Sequence, residues 1–281
     1  MLQELLKNKR VWLIVAVSAL AAVLVGLIVL ACILGSKPDP KPEVSKKPDP
    51  VPESVLDKTE VAPMDFVYVG DYLTCTTRES VLGIDVSGFQ GTIDWQQVKD
   101  AGIQFAMIRV GGRGYGQEGS LYADSKAPGY YQGAKEAGLQ IGAYFFSQAT
   151  TPEEAVEEAE YALSLIRDWE LDLPLVCDWE YMGPDTYGAK ATRRSLTDSM
   201  KAFCQTVEAA GQEGMIYFNP DHAEEEFYLE EMKDYHFWLA YYTDWMDYPY
   251  RVDMWQYTST GSVPGIEGNV DLNLYFPPIA E

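Results

Sequence analysis

The sequence predicts an α/β fold: a modified TIM-like β/α barrel with helix-poor last strands, preceded by an N-terminal transmembrane helix and a Pro-rich linker. Three observations predict this arrangement. Residues 11–34 form a nearly unbroken apolar run, residues 36–63 are rich in proline, and from about residue 82 strand-like segments alternate with amphipathic ones. Such alternation is typical of parallel strands covered by helices, and the number of units favours a barrel over an open sheet.

The apolar run at residues 11–34 is about 24 residues long, enough to span a bilayer as one helix. Lys7, Lys9 and Arg10 precede it, so the positive-inside rule places the N-terminus in the cytoplasm and the rest of the chain outside. Two alternatives remain open. The run could be a cleaved signal peptide of a secreted protein, or Val29-Leu-Ala-Cys32 could be a lipobox with Cys32 as a lipidated N-terminus. All three interpretations export the folded domain.

Changes in composition along the chain divide it into four predicted segments. We expect a cytoplasmic tip and transmembrane anchor at residues 1–35, a Pro-rich linker at 36–63, a lead-in segment at 64–81 and the barrel at 82–281. The linker contains the sequences Lys-Pro-Asp-Pro-Lys-Pro and Lys-Pro-Asp-Pro-Val-Pro. Such sequences favour an extended, semi-rigid polyproline conformation, so the linker is predicted to act as a spacer.

The barrel is predicted to begin with five strands separated by helices, at residues 81–86, 104–110, 139–146, 173–181 and 215–219. Asp94 and Thr151 each begin a helix with a capping sequence. Three further strands, at 236–241, 252–257 and 268–273, have no convincing helix between them. Functional groups of such barrels lie at the C-terminal strand ends.

Charge and composition restrict the class of ligand. The formal net charge of −22 argues against nucleic acid and against an anionic membrane surface as partners. The cysteines Cys32, Cys75, Cys177 and Cys204 show no regular spacing, so a disulfide framework is not predicted, although one disulfide in an exported domain remains possible from the sequence. There are only two histidines, so a metal site is not predicted either. A neutral, hydroxyl-rich ligand bound by aromatic side chains fits the 13% aromatic content better.

The segment Leu173-Pro-Leu-Val-Cys-Asp-Trp-Glu-Tyr181 is an apolar strand that ends in two acids, Asp178 and Glu180. Residues two apart on a strand share a face, so these carboxyl groups point the same way and Trp179 points away. Two carboxylates held close together cannot both ionise freely, and the more buried one has a raised pKa. This pair therefore suits general acid catalysis at an acetal oxygen, although a solvated pair at a strand end has the same sequence.

Two other patterns have competing interpretations. Gly114-Tyr-Gly-Gln-Glu-Gly119 spells the dinucleotide-binding fingerprint, but five residues separate it from the next helix and no acid follows about 20 residues later, so a rim loop is the better interpretation. Aromatic residues cluster near strand ends. They are either barrel core or the stacking surfaces of a sugar-binding cleft.

Several segments together resemble glycoside hydrolase family 25, the muramidase-type lysozymes. The matching segments follow in the family's order and are Gly83-Ile-Asp-Val-Ser-Gly-Phe-Gln-Gly91, Phe105-Ala-Met-Ile-Arg-Val-Gly, Gly142-Ala-Tyr-Phe-Phe-Ser, Cys177-Asp-Trp-Glu-Tyr, Trp238-Leu-Ala-Tyr-Tyr, Met254-Trp-Gln-Tyr and Asn269-Val-Asp-Leu-Asn273. The resemblance covers residues 82–275 and implies a modified β/α barrel whose last strands lose their helices. It also implies hydrolysis of the β-1,4 bond between N-acetylmuramic acid and N-acetylglucosamine in peptidoglycan. The alternative is a wall-binding module without activity.

The family's four catalytic-site acids correspond to Asp85, Asp178, Glu180 and Asp271. We expect Glu180 to be the general acid, and Asp178 to orient the 2-acetamido group or stabilise charge on it, as substrate-assisted enzymes require. Asp85 and Asp271 would set the electric field and hold water or sugar hydroxyls. Whether the configuration is retained or inverted stays open.

The predicted substrate-binding residues are Arg109, Tyr144, Phe146, Tyr217, Asn219, Trp238, Tyr241, Trp255 and Gln256. We expect no cofactor, no metal and no nucleic-acid partner, with peptidoglycan glycan strands as the substrate and the membrane as a partner through the N-terminal helix. The expected protein is a monomer in a bacterial cell membrane, single-pass, with its catalytic domain extracytoplasmic.

Overall fold

In the computed structural model, residues 56–278 are described, and they contain eleven strands. The strands are β1 (Phe66–Val69), β2 (Tyr72–Cys75), β3 (Val81–Val86), β4 (Phe105–Arg113), β5 (Leu121–Ala123), β6 (Gln140–Ser147), β7 (Leu175–Trp179), β8 (Gly214–Phe218), β9 (His236–Ala240), β10 (Met254–Gly261) and β11 (Val270–Tyr275). Eight of them close a barrel in the order β3, β4, β6, β7, β8, β9, β10, β11 and back to β3.

Five α-helices lie in the same part of the chain. They are α1 (Trp95–Asp100), α2 (Ala127–Glu136), α3 (Pro152–Leu165), α4 (Arg193–Ala209) and α5 (Pro220–Glu225), with short 3₁₀ helices at Pro63–Asp65, Gly88–Gln90, Gly188–Lys190 and Leu229–Met232. The predicted N-caps of α1 and α3 are confirmed. The side chain of Asp94 accepts a hydrogen bond from the backbone N–H of Gln97, and that of Thr151 accepts one from Glu154.

The barrel strands are parallel except for β11, which runs antiparallel to both of its neighbours, β10 and β3. A parallel connection needs a crossover of about a dozen or more residues, and the segment between Gly261 and Val270 is too short for one. The chain therefore turns back as a hairpin after β10. As a result β11 begins, rather than ends, at the edge of the barrel where the parallel strands end.

The fold class predicted from the sequence was wrong in two respects. No helix within residues 56–278 is long and apolar enough to cross a membrane, and the apolar run at 11–34 lies outside the described residues. The barrel is also only loosely TIM-like, because a TIM barrel has eight parallel strands and here β11 is reversed. Hydrophobic patterning predicts that a segment is a strand, but it carries no information on the strand's direction.

The core has two layers separated by the barrel wall. Along β7, Leu175, Cys177 and Trp179 face the outer layer between strands and helices, whereas Val176 faces the barrel interior. The interior is filled by Phe105, Met107, Tyr144, Leu173, Val176, Met215, Tyr217, Trp238, Ala240 and Met254. Because side chains alternate along a strand, Asp178 also faces the interior, above this apolar filling.

The lead-in segment forms the antiparallel hairpin β1–β2, which packs on the outside of the barrel. The ring of Phe66 makes an edge-on contact with Trp255 at a centroid distance of 4.9 Å. Leu56 and Val61, which precede the hairpin, are buried as well. The chain from residue 56 onward therefore packs against the barrel.

The glycine-rich segment 114–119 is the loop of the β4–β5 hairpin, where the N–H of Gly114 donates to the carbonyl of Ser120. Its glycines do not begin a helix, so it lacks the geometry of a dinucleotide site. The cysteines Cys75, Cys177 and Cys204 are free and buried.

Candidate active site

All four predicted acids line one cleft of about 590 Å³ at the C-terminal edge of the parallel strands. Asp85 is near the end of β3, Asp178 is in β7 and Glu180 follows β7 directly. Asp271 is the second residue of β11 and lies directly opposite Asp85 in the antiparallel ladder. The reversed strand thus brings a fourth carboxyl group to an edge where parallel strands supply the other three.

Asp85 is held by two amide side chains. Its Oδ2 accepts hydrogen bonds of 2.8 Å from Nε2 of Gln256 and 2.8 Å from Nδ2 of Asn273. Burial, followed by the charge of Asp271, raises the pKa of Asp85 well above the usual range, and the two amides oppose this shift because they favour the carboxylate. The two amides therefore fix the orientation of the carboxyl group.

A surrounding set of donors determines which way both amides point. The hydroxyls of Tyr217 and Tyr242 each donate to Oε1 of Gln256 at 3.0 Å, so Nε2 of Gln256 is directed at Asp85. The indole N–H of Trp238 donates to Oδ1 of Asn273 at 2.9 Å. Aromatic side chains predicted to bind substrate therefore also orient the groups that hold Asp85.

Asp178 is 6% exposed, and its Oδ1 has no hydrogen-bond partner among the described residues. Burial raises the pKa of Asp178 well above the usual range, and the charges of Glu180 and Asp85 raise it further. An unpaired buried oxygen is costly, so an oxygen in this position is available for a donor on the ligand.

Glu180 and Asp271 are less buried than the other two acids. Burial and the charge of Asp271 raise the pKa of Glu180, and burial raises the pKa of Asp271 to about 6. The four carboxyl groups interact, so their protons leave in steps that belong to the group as a whole. A site that holds a proton near neutral pH beside charged carboxylates can protonate a leaving oxygen.

A buried network of polar side chains forms a hydrogen bond with the backbone of Glu180. Nε2 of Gln148 donates to the carbonyl of Glu180 at 2.8 Å, and the N–H of Gln148 donates to Oε1 of Glu158 at 3.2 Å. Glu158 is fully buried, accepts from Ser147 and pairs with Arg113 at 2.7 Å. Burial raises the pKa of Glu158 to about 7, with the neighbouring donors opposing the shift.

Among the described residues that line the cleft, Arg109 is the cation. Its Nε and Nη2 donate to Oδ2 of the buried Asp124 at 3.0 and 2.8 Å, and its guanidinium lies 5.1 Å from the ring centre of Phe89. Oδ2 of Asp124 also accepts from the N–H of Gly88. Arg109 is thus fixed in place, and its charge opposes the raised pKa of Asp178.

The structure brings most of the predicted binding residues into the cleft, namely Arg109, Tyr144, Phe146, Tyr217, Trp238 and Gln256. Three others lie elsewhere. Asn219 caps α5 by accepting from the N–H of His222, and Trp255 is fully buried on the outer side of the barrel wall. Tyr241 lines a separate groove.

Residues that were not among the predicted binding residues also line the cleft: Ser87, Phe89, Gln90, Tyr115, Tyr122, Met182 and Tyr242, of which Tyr242 belongs to the aromatic clusters near strand ends. Asn273, which holds Asp85, was missed as well, although it lies two residues after Asp271 and so shares its face of the strand. The other missed residues come mainly from loops, where no periodicity indicates which way a side chain points. No cluster of three or more His, Cys, Asp or Glu side chains suited to a metal ion occurs among residues 56–278.

Comparison with known proteins agrees with this geometry. The model of the family Glycosyl hydrolases family 25 matches residues 84–266. The chain is 30% identical over 199 residues to the autolytic lysozyme of Clostridium acetobutylicum, a match that covers 68% of this chain and 54% of that protein, so it spans about half of that relative's length. It is 29% identical over 223 residues to lysozyme M1 of Streptomyces globisporus, covering 69% and 67% of the two chains.

Among solved structures, the bacterial lysozyme from Streptomyces coelicolor is similar to this chain with a TM-score of 0.56 and 27% identity, over 70% of this chain and 92% of that one. The matched family segment includes Asp85, Asp178 and Glu180, and Asp271 follows shortly after it. Because the family match covers more than half of the sequence and the structure closes the corresponding barrel, the chain belongs to glycosyl hydrolases family 25.

Proposed function

We propose that the chain is an N-acetylmuramidase, a lysozyme that cleaves the β-1,4 bond between N-acetylmuramic acid and N-acetylglucosamine in peptidoglycan. Membership of the family and the lysozyme names of two relatives support this activity. The single observation that carries it is the group of four carboxyl groups in one aromatic-lined cleft, with a raised pKa at Glu180. Four carboxyl groups this close resist ionising together, and proton transfer accounts for such raised pKa values more directly than glycan binding alone.

In the proposed mechanism Glu180 is the general acid. Its proton passes to the glycosidic oxygen as the bond from that oxygen to the anomeric carbon breaks, which leaves Glu180 as a carboxylate. The acetamido oxygen of the same sugar attacks the anomeric carbon, and Asp178 accepts a hydrogen bond from the acetamido N–H through its unpartnered Oδ1. Water then opens this intermediate and returns a proton to Glu180.

Asp85 and Asp271 are proposed to hold substrate hydroxyls or the attacking water, because both line the cleft and face one another across the β3–β11 ladder. Peptidoglycan lies outside the cytoplasmic membrane, so the domain would act there. We propose that it acts as a monomer, since all four acids come from one chain.

The test is to incubate the purified full-length protein with peptidoglycan, reduce the products with borohydride and identify the reduced sugar. A muramidase produces new reducing ends at N-acetylmuramic acid. Asp168→Asn, which changes an exposed acid that does not line the cleft, is the matched control and should retain full activity. Tight sedimentation with peptidoglycan without any new reducing ends would instead support a binding module.

A further inference from the structure

A second and larger groove, of about 1120 Å³, lies outside the barrel interior. It runs between the β1–β2 hairpin and the loop after β9, over the outer sides of β10 and β11. This wall of the barrel is open because no helix occurs between β9 and β11 in the described structure. The hairpin that forms one side precedes the segment matched to the family, whereas the loop after β9 on the other side lies within that segment.

The groove has the chemistry of a saccharide site. Three of its aromatic residues are about half exposed, Tyr68 at 52%, Tyr242 at 58% and Trp245 at 52%, and such rings stack on the apolar faces of sugars. The hydroxyl side chains of Thr258, Thr260 and Ser262 line the same groove.

The charge of the lining residues further restricts the class of ligand that the groove can bind. The described residues that line the groove include Asp71 and Asp244 but no lysine, arginine or histidine. A carboxylate placed against these two acids would meet no compensating charge there and would be repelled. Neutral sugar units that are rich in hydroxyl and amide groups, such as the N-acetylglucosamine units of a glycan strand, fit both the rings and the charge.

The two sides of the groove are fixed to one another. The hydroxyl of Tyr68 on the hairpin donates to Oδ1 of Asp244 in the opposite loop at 2.7 Å. Phe66 anchors the same hairpin between Trp255 and Phe276, at centroid distances of 4.9 and 6.3 Å. A groove formed in advance binds its ligand at a smaller cost in conformational entropy.

Tyr242 connects the groove to the catalytic cleft, because it lines both cavities. Its hydroxyl donates to Gln256 inside the cleft, while more than half of its side-chain surface stays exposed. A polymer that leaves the cleft over this residue therefore enters the groove directly.

We propose that this groove binds a further stretch of the same glycan strand, beyond the sugars held at the four acids. The proposal rests on the proposed muramidase function and extends it to long strands. Each strand would be held both at the cleaved bond and on the outer wall. The groove would raise affinity for polymeric peptidoglycan without touching the reacting atoms.

The first experiment compares two substrates with Trp245→Ala, whose side chain is not part of the catalytic cleft. Loss of one stacking ring should raise KM for long glycan strands about tenfold, equivalent to ~1.4 kcal/mol. The values of kcat and KM for a short oligosaccharide that fills only the cleft should not change. Val69→Ala, an exposed apolar residue of the same hairpin that does not line the groove, is the matched control.

The second experiment measures binding without cleavage, in full-length protein that carries Glu180→Gln. Affinity for neutral β-1,4-linked N-acetylglucosamine oligomers should increase with chain length beyond the length that fills the cleft, and Trp245→Ala should abolish that increase. If affinity stops rising at the same length with or without Trp245, the proposal is overturned. A loss confined to strands that carry peptides, or a shift in the monomer–dimer equilibrium, would also overturn it.

The two proposals fail in different ways. If the protein cleaves glycan but Trp245→Ala has no length-dependent effect, only the groove proposal is wrong. If the protein makes no new reducing ends yet binds long strands through Trp245, the groove proposal stands and the muramidase proposal is wrong.

Discussion

The side-chain amide of Gln148 donates a 2.8 Å hydrogen bond to the backbone carbonyl of Glu180. Gln148 is fully buried and directly follows β6, and its own N–H donates to Oε1 of Glu158. Glu180 is the first residue after β7, so β7 itself does not fix its backbone. The proposed general acid is thus positioned from the neighbouring strand.

We predict that Gln148→Met lowers kcat by about tenfold, since small misplacements of a catalytic group reduce the rate strongly. KM should change little, because Gln148 does not line the cleft. The variant should also be less stable by about 1–3 kcal/mol, because the carbonyl of Glu180 loses its buried partner. Steady-state kinetics and thermal unfolding measure both effects. Gln96→Met, a change of an exposed glutamine on α1, should alter neither.

Glu180→Gln should lose about 10²- to 10⁴-fold in kcat, the usual contribution of a general acid, with little change in fold. Circular dichroism and the release of reducing ends test this together. A variant that kept a near-normal rate would show that another group donates the proton.

Asp178→Asn should also reduce turnover, yet leave the melting temperature at neutral pH equal to or above that of the wild type. The pKa of Asp178 is raised in the folded protein, so its favourable contribution to stability is present at low pH and is lost as the pH rises through that pKa. The neutral amide avoids this loss. A clear drop in melting temperature at pH 7 would indicate that the ionised form is stabilised instead.

Much of this site follows from sequence for a physical reason. The alternation of side chains in the segment that forms β7 is strong, so it predicts that Asp178 faces the interior and Trp179 faces away, as the structure has them. The direction of β11 could not be predicted, because an isolated strand pattern is the same for both directions. The location of Tyr241 outside the cleft, in contrast, follows from the same alternation, because Trp238 and Ala240 face the interior and Tyr241 therefore faces outward.

The charge of Asp271 should set the alkaline limit of activity. It raises the pKa of Glu180, after burial, and so keeps Glu180 protonated to a higher pH. Asp271→Asn removes that charge, so the alkaline limb of the kcat/KM profile should move to lower pH. Asp168→Asn is the control and should leave the profile in place. A profile that is unchanged by Asp271→Asn would mean that the two groups do not interact.

The same substitution should change how stability depends on pH. The pKa of Asp271 is about 6 in the folded protein against 3.8 for an ordinary aspartate, so the wild type loses stability as the pH rises between these values. The Asp271→Asn variant lacks this titrating group, so its stability should fall less over the same pH range. Melting temperatures measured from pH 4 to pH 7 test the difference.

Tyr217 and Tyr242 should act redundantly on Gln256, because each hydroxyl alone can hold Oε1 and keep Nε2 directed at Asp85. Tyr217→Phe and Tyr242→Phe should each cost less than about threefold in kcat/KM on a short oligosaccharide. The double variant leaves the amide of Gln256 free to flip, so its loss should exceed the product of the single losses by a coupling of about 0.5–3 kcal/mol. The control is a second double-mutant cycle, in which Tyr122→Phe replaces Tyr242→Phe as the partner of Tyr217→Phe. Tyr122 lines the cleft but does not contact Gln256, so the effects of these two substitutions should be additive. Equal coupling energies in the two cycles would show that the tyrosines act on the substrate rather than through Gln256.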